Sequence, residues 1–108
     1  MSLGSRAKAV NAMRSELIAV VTLYSTSDGG RRSSILPGFG CPCFKSKDLS
    51  IPAWDGWPQL QGFEMSPGET RTLGFVFLSG EIAAREFIDT GVFYLWDGKI
   101  IGEAKVIQ

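Results

Sequence analysis

The sequence predicts a single small all-β domain, and three observations support this prediction. Thirteen glycines and five prolines divide the 108 residues into short segments, which is typical of strands joined by tight turns. Residues 69–78 alternate between polar and apolar side chains, as a half-buried strand does. Asp97-Gly98 separates two strand-like runs and is a strong hairpin signal. A chain of this length is typical of one domain with one hydrophobic core.

The first apolar run, from Leu17 to Tyr24, is rich in β-branched residues and is predicted to form a strand. Residues 1–14 before it are expected to be a flexible or tag-like tail, which leaves residues 15–108 as the domain. A helix beginning within residues 6–17 is the competing interpretation, with the boundary between helix and strand near Ser15.

Two short strands are expected after a turn at residues 25–30, one from Arg31 to Leu36 and one from Phe39 to Lys45. Pro42 lacks a main-chain donor, which places the second of these strands at an edge or a bulge. Residues 46–62 are expected to form one long irregular loop, and loops of such length are often functional.

The C-terminal third is expected to hold one helical turn and then a hairpin. The helical turn lies within residues 79–89. Strands over residues 92–96 and 99–107 then flank Asp97-Gly98, where a two-residue turn of type I′ needs positive φ at both positions.

Two strands have predicted buried faces. In the long strand this face holds Leu73, Phe75 and Phe77. In the last strand Ile101 falls on the exposed face, among the charged side chains. The buried face of the last strand is predicted to consist of Ile100, Gly102, Ala104 and Val106.

The composition argues against several classes of function. The chain has no histidine, which removes Ser–His and Cys–His mechanisms and the commonest zinc ligand. Eleven basic and eleven acidic side chains cancel, so bulk charge does not favour nucleic-acid binding. No phosphate-binding Gly-x4-Gly-Lys loop of a GTPase is present. The protein is therefore predicted not to be an enzyme, and neither a cofactor nor a metal is expected.

Targeting signals do not stand out in the sequence. No apolar stretch of about 20 residues is present, so no membrane-spanning helix is predicted. The N-terminus lacks the apolar core of a signal peptide. We therefore expect a cytoplasmic protein that does not bind membranes.

Cys41 and Cys43 are the two cysteines and are separated by one residue, so they do not form a disulfide framework. A redox pair or half of a soft-metal site is one interpretation. The other is a pair of small buried thiols, which we favour because free cysteine often behaves as a small apolar residue.

Two groups of side chains are candidate partner-binding residues. Trp54, Trp57 and Phe63 lie in or beside the predicted long loop, and tryptophan is enriched at binding hot spots. Alternatively, this loop covers an open barrel end with its own side chains. Arg31 and Arg32 are candidates for contact with phosphate, and the alternative is a solvated face.

Three segments of the chain resemble the third, C-terminal β-barrel domain of elongation factor Tu. The first runs from Leu23 to Phe39 and contains Asp-Gly-Gly-Arg, and the second is the Met-Ser-Pro-Gly-Glu turn from Met65 to Glu69. The third is the closing hairpin from Asp97 to Ala104. Their order and spacing agree with the family over residues 16–108. The resemblance implies a six-stranded antiparallel barrel standing without its GTPase domain.

In that family the domain packs on the GTPase domain and contacts transfer RNA and the exchange factor. The resemblance places Arg31 and the Asp97-Gly98 turn at positions near the RNA. Residues 32–34 are Arg-Ser-Ser where the family has His-Thr-Pro, and residues 39–44 lack the family's Arg and Gln. Most of the polar side chains that face RNA in the family are thus absent.

Three functions from different classes remain open. The first is a non-enzymatic module that binds a protein through the aromatic residues or the barrel edge near residues 31–44. The second is an accessory protein that binds RNA, transfer RNA in particular, through the arginine pair and the Asp97-Gly98 turn. The third is a small thiol-dependent enzyme or redox protein. An open sheet edge would also allow a second copy to pair as a dimer.

Overall fold

Six segments rich in apolar and aromatic residues form the strands of a closed antiparallel barrel. The computed structural model describes the main chain of residues 3–108 and the side chains of residues 6–108. The strands are β1 (Leu17–Leu23), β2 (Cys41–Phe44), β3 (Ala53–Pro58), β4 (Thr70–Phe77), β5 (Val92–Trp96) and β6 (Ile100–Val106), and the helices are α1 (Leu3–Ala12) and α2 (Glu81–Thr90). The order around the barrel is β1-β4-β3-β2-β5-β6. The predicted small all-β barrel is confirmed.

The core fills the inside of the barrel. Leu73, Phe75 and Phe77 of β4 are all buried, as the alternation predicted. Phe93 of β5 packs against Phe75 and against Phe87 of α2, with ring centroids 5.0 and 4.5 Å apart. Because α2 joins the end of β4 to the start of β5, it closes that end of the barrel with an aromatic cluster.

Two predictions about the strands are wrong. Residues 31–36 do not form a strand, since Ile35 makes only an isolated bridge to Met65. The long loop predicted at residues 46–62 contains β3, which pairs with β2 and β4. Pro52 immediately precedes β3 and Pro58 is its last residue, so neither proline interrupts the strand.

Pro42 predicted that this strand lies at an edge or a bulge, and β2 is not an edge strand. It pairs with β3 on one side and with β5 on the other. The six described strands close into a barrel, in which each strand has a neighbour on both sides.

Both helices differ from what the sequence predicted. Where one helical turn was expected within residues 79–89, α2 has ten residues. It buries Ala83, Ala84 and Phe87 on one face and ends at Gly91, whose φ is +77°. α1 lies within the expected tail at residues 1–14. The competing helical interpretation, which placed a helix within residues 6–17, agrees with α1 over residues 6–12 but not over residues 13–17. Residues 1 and 2 lie outside the described part. Neither of the two described helices is long and apolar enough to cross a membrane.

The β5–β6 hairpin differs from the predicted two-residue turn. Trp96 pairs with Ile100, which leaves three residues in the loop. Of these three, only Gly98 has a positive φ, at +76°. The turn is therefore not of type I′, which would need positive φ at Asp97 as well.

A β-bulge follows this loop in β6. Leu95 pairs with Gly102 while Trp96 pairs with Ile100, so one extra residue lies in β6. That residue is Ile101, which is fully buried, whereas strict alternation predicted an exposed position. The bulge also explains why Ile100 is only half-buried although it was assigned to the inner face.

Candidate functional site

A groove of about 600 Å³ lies between α1 and the outer side of strands β2, β3 and β4. Trp57 and Val76, which are partners in the β3–β4 ladder, both line it. Met13 and Leu78 line it as well, although their side chains are 53% and 73% exposed. The volume is within the range of ligand-binding sites, roughly 300–1,000 Å³. We call this feature the Trp57 groove.

The position of Trp57 follows from the period of β3. Trp54, Gly56 and Pro58 alternate toward the inside of the barrel, so Trp57 faces outward. Its indole lies against the main chain of Gly40, where a Cβ atom would be only 2.2 Å from the indole Nε1. Glycine at position 40 therefore gives the ring the space that it occupies in the groove.

A second pocket, of about 470 Å³, adjoins the Trp57 groove and shares Arg6 and Gly40 with it. Leu36 and Phe39 supply its apolar surface, and Glu64 supplies a carboxylate. The two pockets therefore meet at Arg6 of α1 and at Gly40.

Arg31 and Asp97, two predicted partner-binding residues, contact each other. Arg31 Nη1 lies 2.5 Å from Asp97 Oδ2, and the Arg31 guanidinium lies 5.2 Å from the ring centroid of Phe39. The contact brings the Asp97-Gly98 turn to the second pocket, which Arg31 lines. Arg32 is exposed. Because Asp97 neutralises Arg31, Arg32 alone is left to offer phosphate a positive charge at this arginine pair.

The sequence predicted that Trp54, Trp57 and Phe63 lie in or beside one long loop. The structure instead places them in three different surroundings. Trp54 points toward the core and packs edge-on against Phe87, with ring centroids 5.6 Å apart. Phe63 is 72% exposed, and its carbonyl accepts a hydrogen bond from Arg71. Of the three aromatic residues, only Trp57 lines the groove.

Cys41 and Cys43 are buried free thiols on the inner face of β2. Cys43 Sγ donates to the Cys41 carbonyl at 3.5 Å. The interaction with Cys41, together with burial, raises the pKa of the Cys43 thiol well above its ordinary value. A reactive thiolate is therefore disfavoured at Cys43 at neutral pH. Within residues 3–108 no group of three or more acidic, cysteine or histidine side chains could hold a metal ion.

Sequence reasoning identified Trp57 but missed the other wall of its groove. Met13 lies in the segment that was expected to be a tail. Leu78 is the last residue of the alternating run 69–78, and the alternation places it on the face opposite Phe75 and Phe77. An apolar residue on that outer face was the available signal. No protein-family model matches this sequence, and no curated protein matches it.

Proposed function

We propose that the protein is a non-enzymatic binding module that takes an extended segment of a partner protein into the Trp57 groove. The observation that carries the proposal is the meeting of Trp57 with two exposed apolar side chains, Met13 and Leu78, in one groove. Apolar side chains that are exposed together, and not singly, are typical of surfaces that bind other proteins. A tryptophan at their centre is the residue type that most often dominates binding energy.

The shape and charge of the groove specify the segment. The two adjoining pockets suit an extended chain, with one apolar side chain against Trp57 and another near Phe39. Asp55 and Arg6 line the first pocket, so charged residues of the partner on either side of the apolar anchor would fix its direction.

The resemblance to the third domain of elongation factor Tu supports the same proposal, because in that family the barrel acts by docking on other macromolecules. We propose that the chain is a barrel of this kind, used alone for protein binding. RNA binding through Arg31 and Asp97-Gly98 is less favoured, since the Arg31 guanidinium is paired with Asp97.

Selection from a displayed library of unstructured peptides tests the proposal. The selected peptides are then titrated against two variants that place a charge at equally exposed positions. Leu78→Lys changes the groove, whereas Phe63→Lys is the matched control, because Phe63 is as exposed as Leu78 but lines neither pocket. We expect Leu78→Lys to weaken binding by about tenfold or more and Phe63→Lys to leave it unchanged.

Salt separates this function from RNA binding. Contact with an apolar groove survives moderate salt, whereas RNA held by phosphate contacts dissociates steeply as salt rises. Equal binding of peptides by both lysine variants would remove the groove from the proposal. Transfer RNA retained at low salt and lost at moderate salt would replace it with the RNA-binding function.

A further inference from the structure

The ammonium group of Lys47 lies between two tyrosine rings. Its Nζ is 5.7 Å from the ring centroid of Tyr24 and 5.6 Å from that of Tyr94. Both distances are within the range of cation–π attraction, roughly 6 Å. Lys47 itself is exposed and belongs to the irregular segment between β2 and β3. The positive charge of this exposed lysine therefore lies over the faces of both tyrosine rings.

A carboxylate completes the surroundings of these rings. Tyr24 donates its hydroxyl to Glu103 Oε1 at 3.3 Å, and Glu103 is also the cross-strand partner of Tyr94 in the β5–β6 ladder. Burial, followed by the charge of Glu103, raises the pKa of Tyr24 to about 12. The hydroxyl therefore stays protonated at neutral pH, and the site keeps one negative charge, that of Glu103.

We propose that Tyr24, Tyr94 and Glu103 form a binding site for a methylated ammonium group, which Lys47 occupies from within the chain until a ligand displaces it. Two aromatic faces and a carboxylate attract a cation whatever its source. A quaternary ammonium is less strongly hydrated than the primary ammonium of lysine, so it loses less solvation on entering. Lys47 has a long flexible side chain and can return to water.

Lys45 provides the contrast that makes Lys47 an exchangeable occupant. Lys45 Nζ lies 5.8 Å from the Trp54 ring centroid and also donates to Glu86 Oε1 at 3.0 Å. Lys47 forms no such salt bridge with the described acidic side chains, so the rings of Tyr24 and Tyr94 are its main partners. Removing Lys47 should therefore free a site, and removing Lys45 should not.

Titration with tetramethylammonium tests the proposal, with ligand-induced NMR shifts of the Tyr24 and Tyr94 ring protons as the readout. We expect Lys47→Ala to bind tetramethylammonium more tightly than the unchanged protein, by roughly threefold to thirtyfold. Lys45→Ala is the matched control and should bind as the unchanged protein does. In the unchanged protein, the ligand should also move the Lys47 side-chain signals toward those of a free lysine.

Two further variants, both made with Lys47→Ala, assign the site to the rings. Tyr94→Leu keeps apolar bulk and should abolish binding, whereas Tyr24→Phe keeps the ring face and should retain most of it. Comparing the affinities of choline and trimethyllysine separates a headgroup from a modified side chain as the source of the cation. Comparing choline with its uncharged isostere dimethylbutanol tests whether binding needs the positive charge. The proposal is overturned if Lys47→Ala does not bind tetramethylammonium, if dimethylbutanol binds as well as choline, or if Tyr94→Leu has no effect.

Discussion

Gln59 joins the barrel to Val10 of helix α1: its side-chain amide donates to the Val10 carbonyl at 2.8 Å. The same amide donates to the Met13 carbonyl at 2.7 Å, and its oxygen accepts from the Ser15 hydroxyl at 2.5 Å. Gln59 is only 3% exposed, so these bonds replace the water that it would otherwise bind. Because α1 forms one wall of the Trp57 groove, these bonds help to fix the position of that wall.

Gln59→Ala should detach α1 from the barrel. The substitution removes the side-chain donor from the Met13 carbonyl and leaves the Val10 carbonyl with the Met13 N–H alone, at 3.3 Å. The expected loss in free energy of unfolding is about 1–3 kcal/mol. Hydrogen exchange of the amides in residues 3–12 should accelerate, whereas exchange in β1 should change little. Gln61→Ala is the control, because the Gln61 side chain is exposed and its main-chain N–H, which donates to Asn11 Oδ1, is kept in alanine. Unchanged exchange in α1 of Gln59→Ala would show that other contacts, such as this bond and the packing of Val10, hold the helix.

Gly74→Ala should disturb the hydrogen bond between Ser15 and Gln59. A Cβ atom at position 74 would lie 2.3 Å from Ser15 Oγ and 2.4 Å from Gln59 Oε1, so both side chains must move. We expect the free energy of unfolding to fall by about 1–3 kcal/mol. Part of this loss should disappear in a Ser15→Ala background, because the hydroxyl that the methyl group meets is then absent. Strict additivity in denaturant unfolding would contradict this account.

How far the sequence predicts this fold depends on how local each interaction is. The strands β1, β4, β5 and β6 follow from alternation or β-branched composition over a few residues. Among the α1 residues whose side chains the structure describes, 6–12, Val10 is the buried one. Val10 is bonded by Gln59, 49 residues away, so no short window of sequence reveals how the helix packs. The β6 bulge at Ile101 is equally hidden, because it depends on register with β5.

The candidate site was less predictable than the fold for the same reason. The Trp57 groove is formed by β3 and α1 among other elements. The segment that forms β3 was predicted to be a loop because of its two prolines, and the segment that forms α1 was predicted to be a tail. Arg31 and Asp97 were both predicted to contact RNA, but the ion pair that they form with each other joins positions 66 residues apart and depends on the closed barrel. The sequence therefore indicated the two residues, and the structure showed that they bind each other.

The Arg31–Asp97 pair should contribute little to stability. The two side chains are 22% and 49% exposed, so water and salt screen their attraction. A double-mutant cycle of Arg31→Ala and Asp97→Ala should give a coupling energy of about 0.2–1 kcal/mol in denaturant unfolding, falling as salt is added. The control is a second cycle that combines Arg32→Ala with Asp97→Ala, and it should give no coupling energy. A salt-independent coupling would indicate a pair that is shielded from solvent.

The two cysteines should be inert in the folded protein. Cys43 is fully buried, and its hydrogen bond with Cys41 and its burial both keep the thiol protonated. We expect a thiol-specific reagent at neutral pH to label neither cysteine until denaturant unfolds the barrel, and then to label both. Labelling of either cysteine in the folded protein at neutral pH would contradict this prediction.

Tyr24 should make stability depend on alkaline pH. Burial and Glu103 raise the pKa of the folded tyrosine from its ordinary value of 10.0 to about 12, so folding holds the phenolic proton more tightly. The stabilising contribution is therefore fully present below pH 10 and is lost as the pH rises from about 10 toward 12. Ultraviolet absorbance should show a tyrosine that ionises near pH 12, and Tyr24→Phe should remove it. Glu103→Gln should shift this ionisation to lower pH, but by less than the whole difference, because burial remains the larger cause. A titration in which Glu103→Gln changes nothing would mean that burial alone sets the pKa of Tyr24.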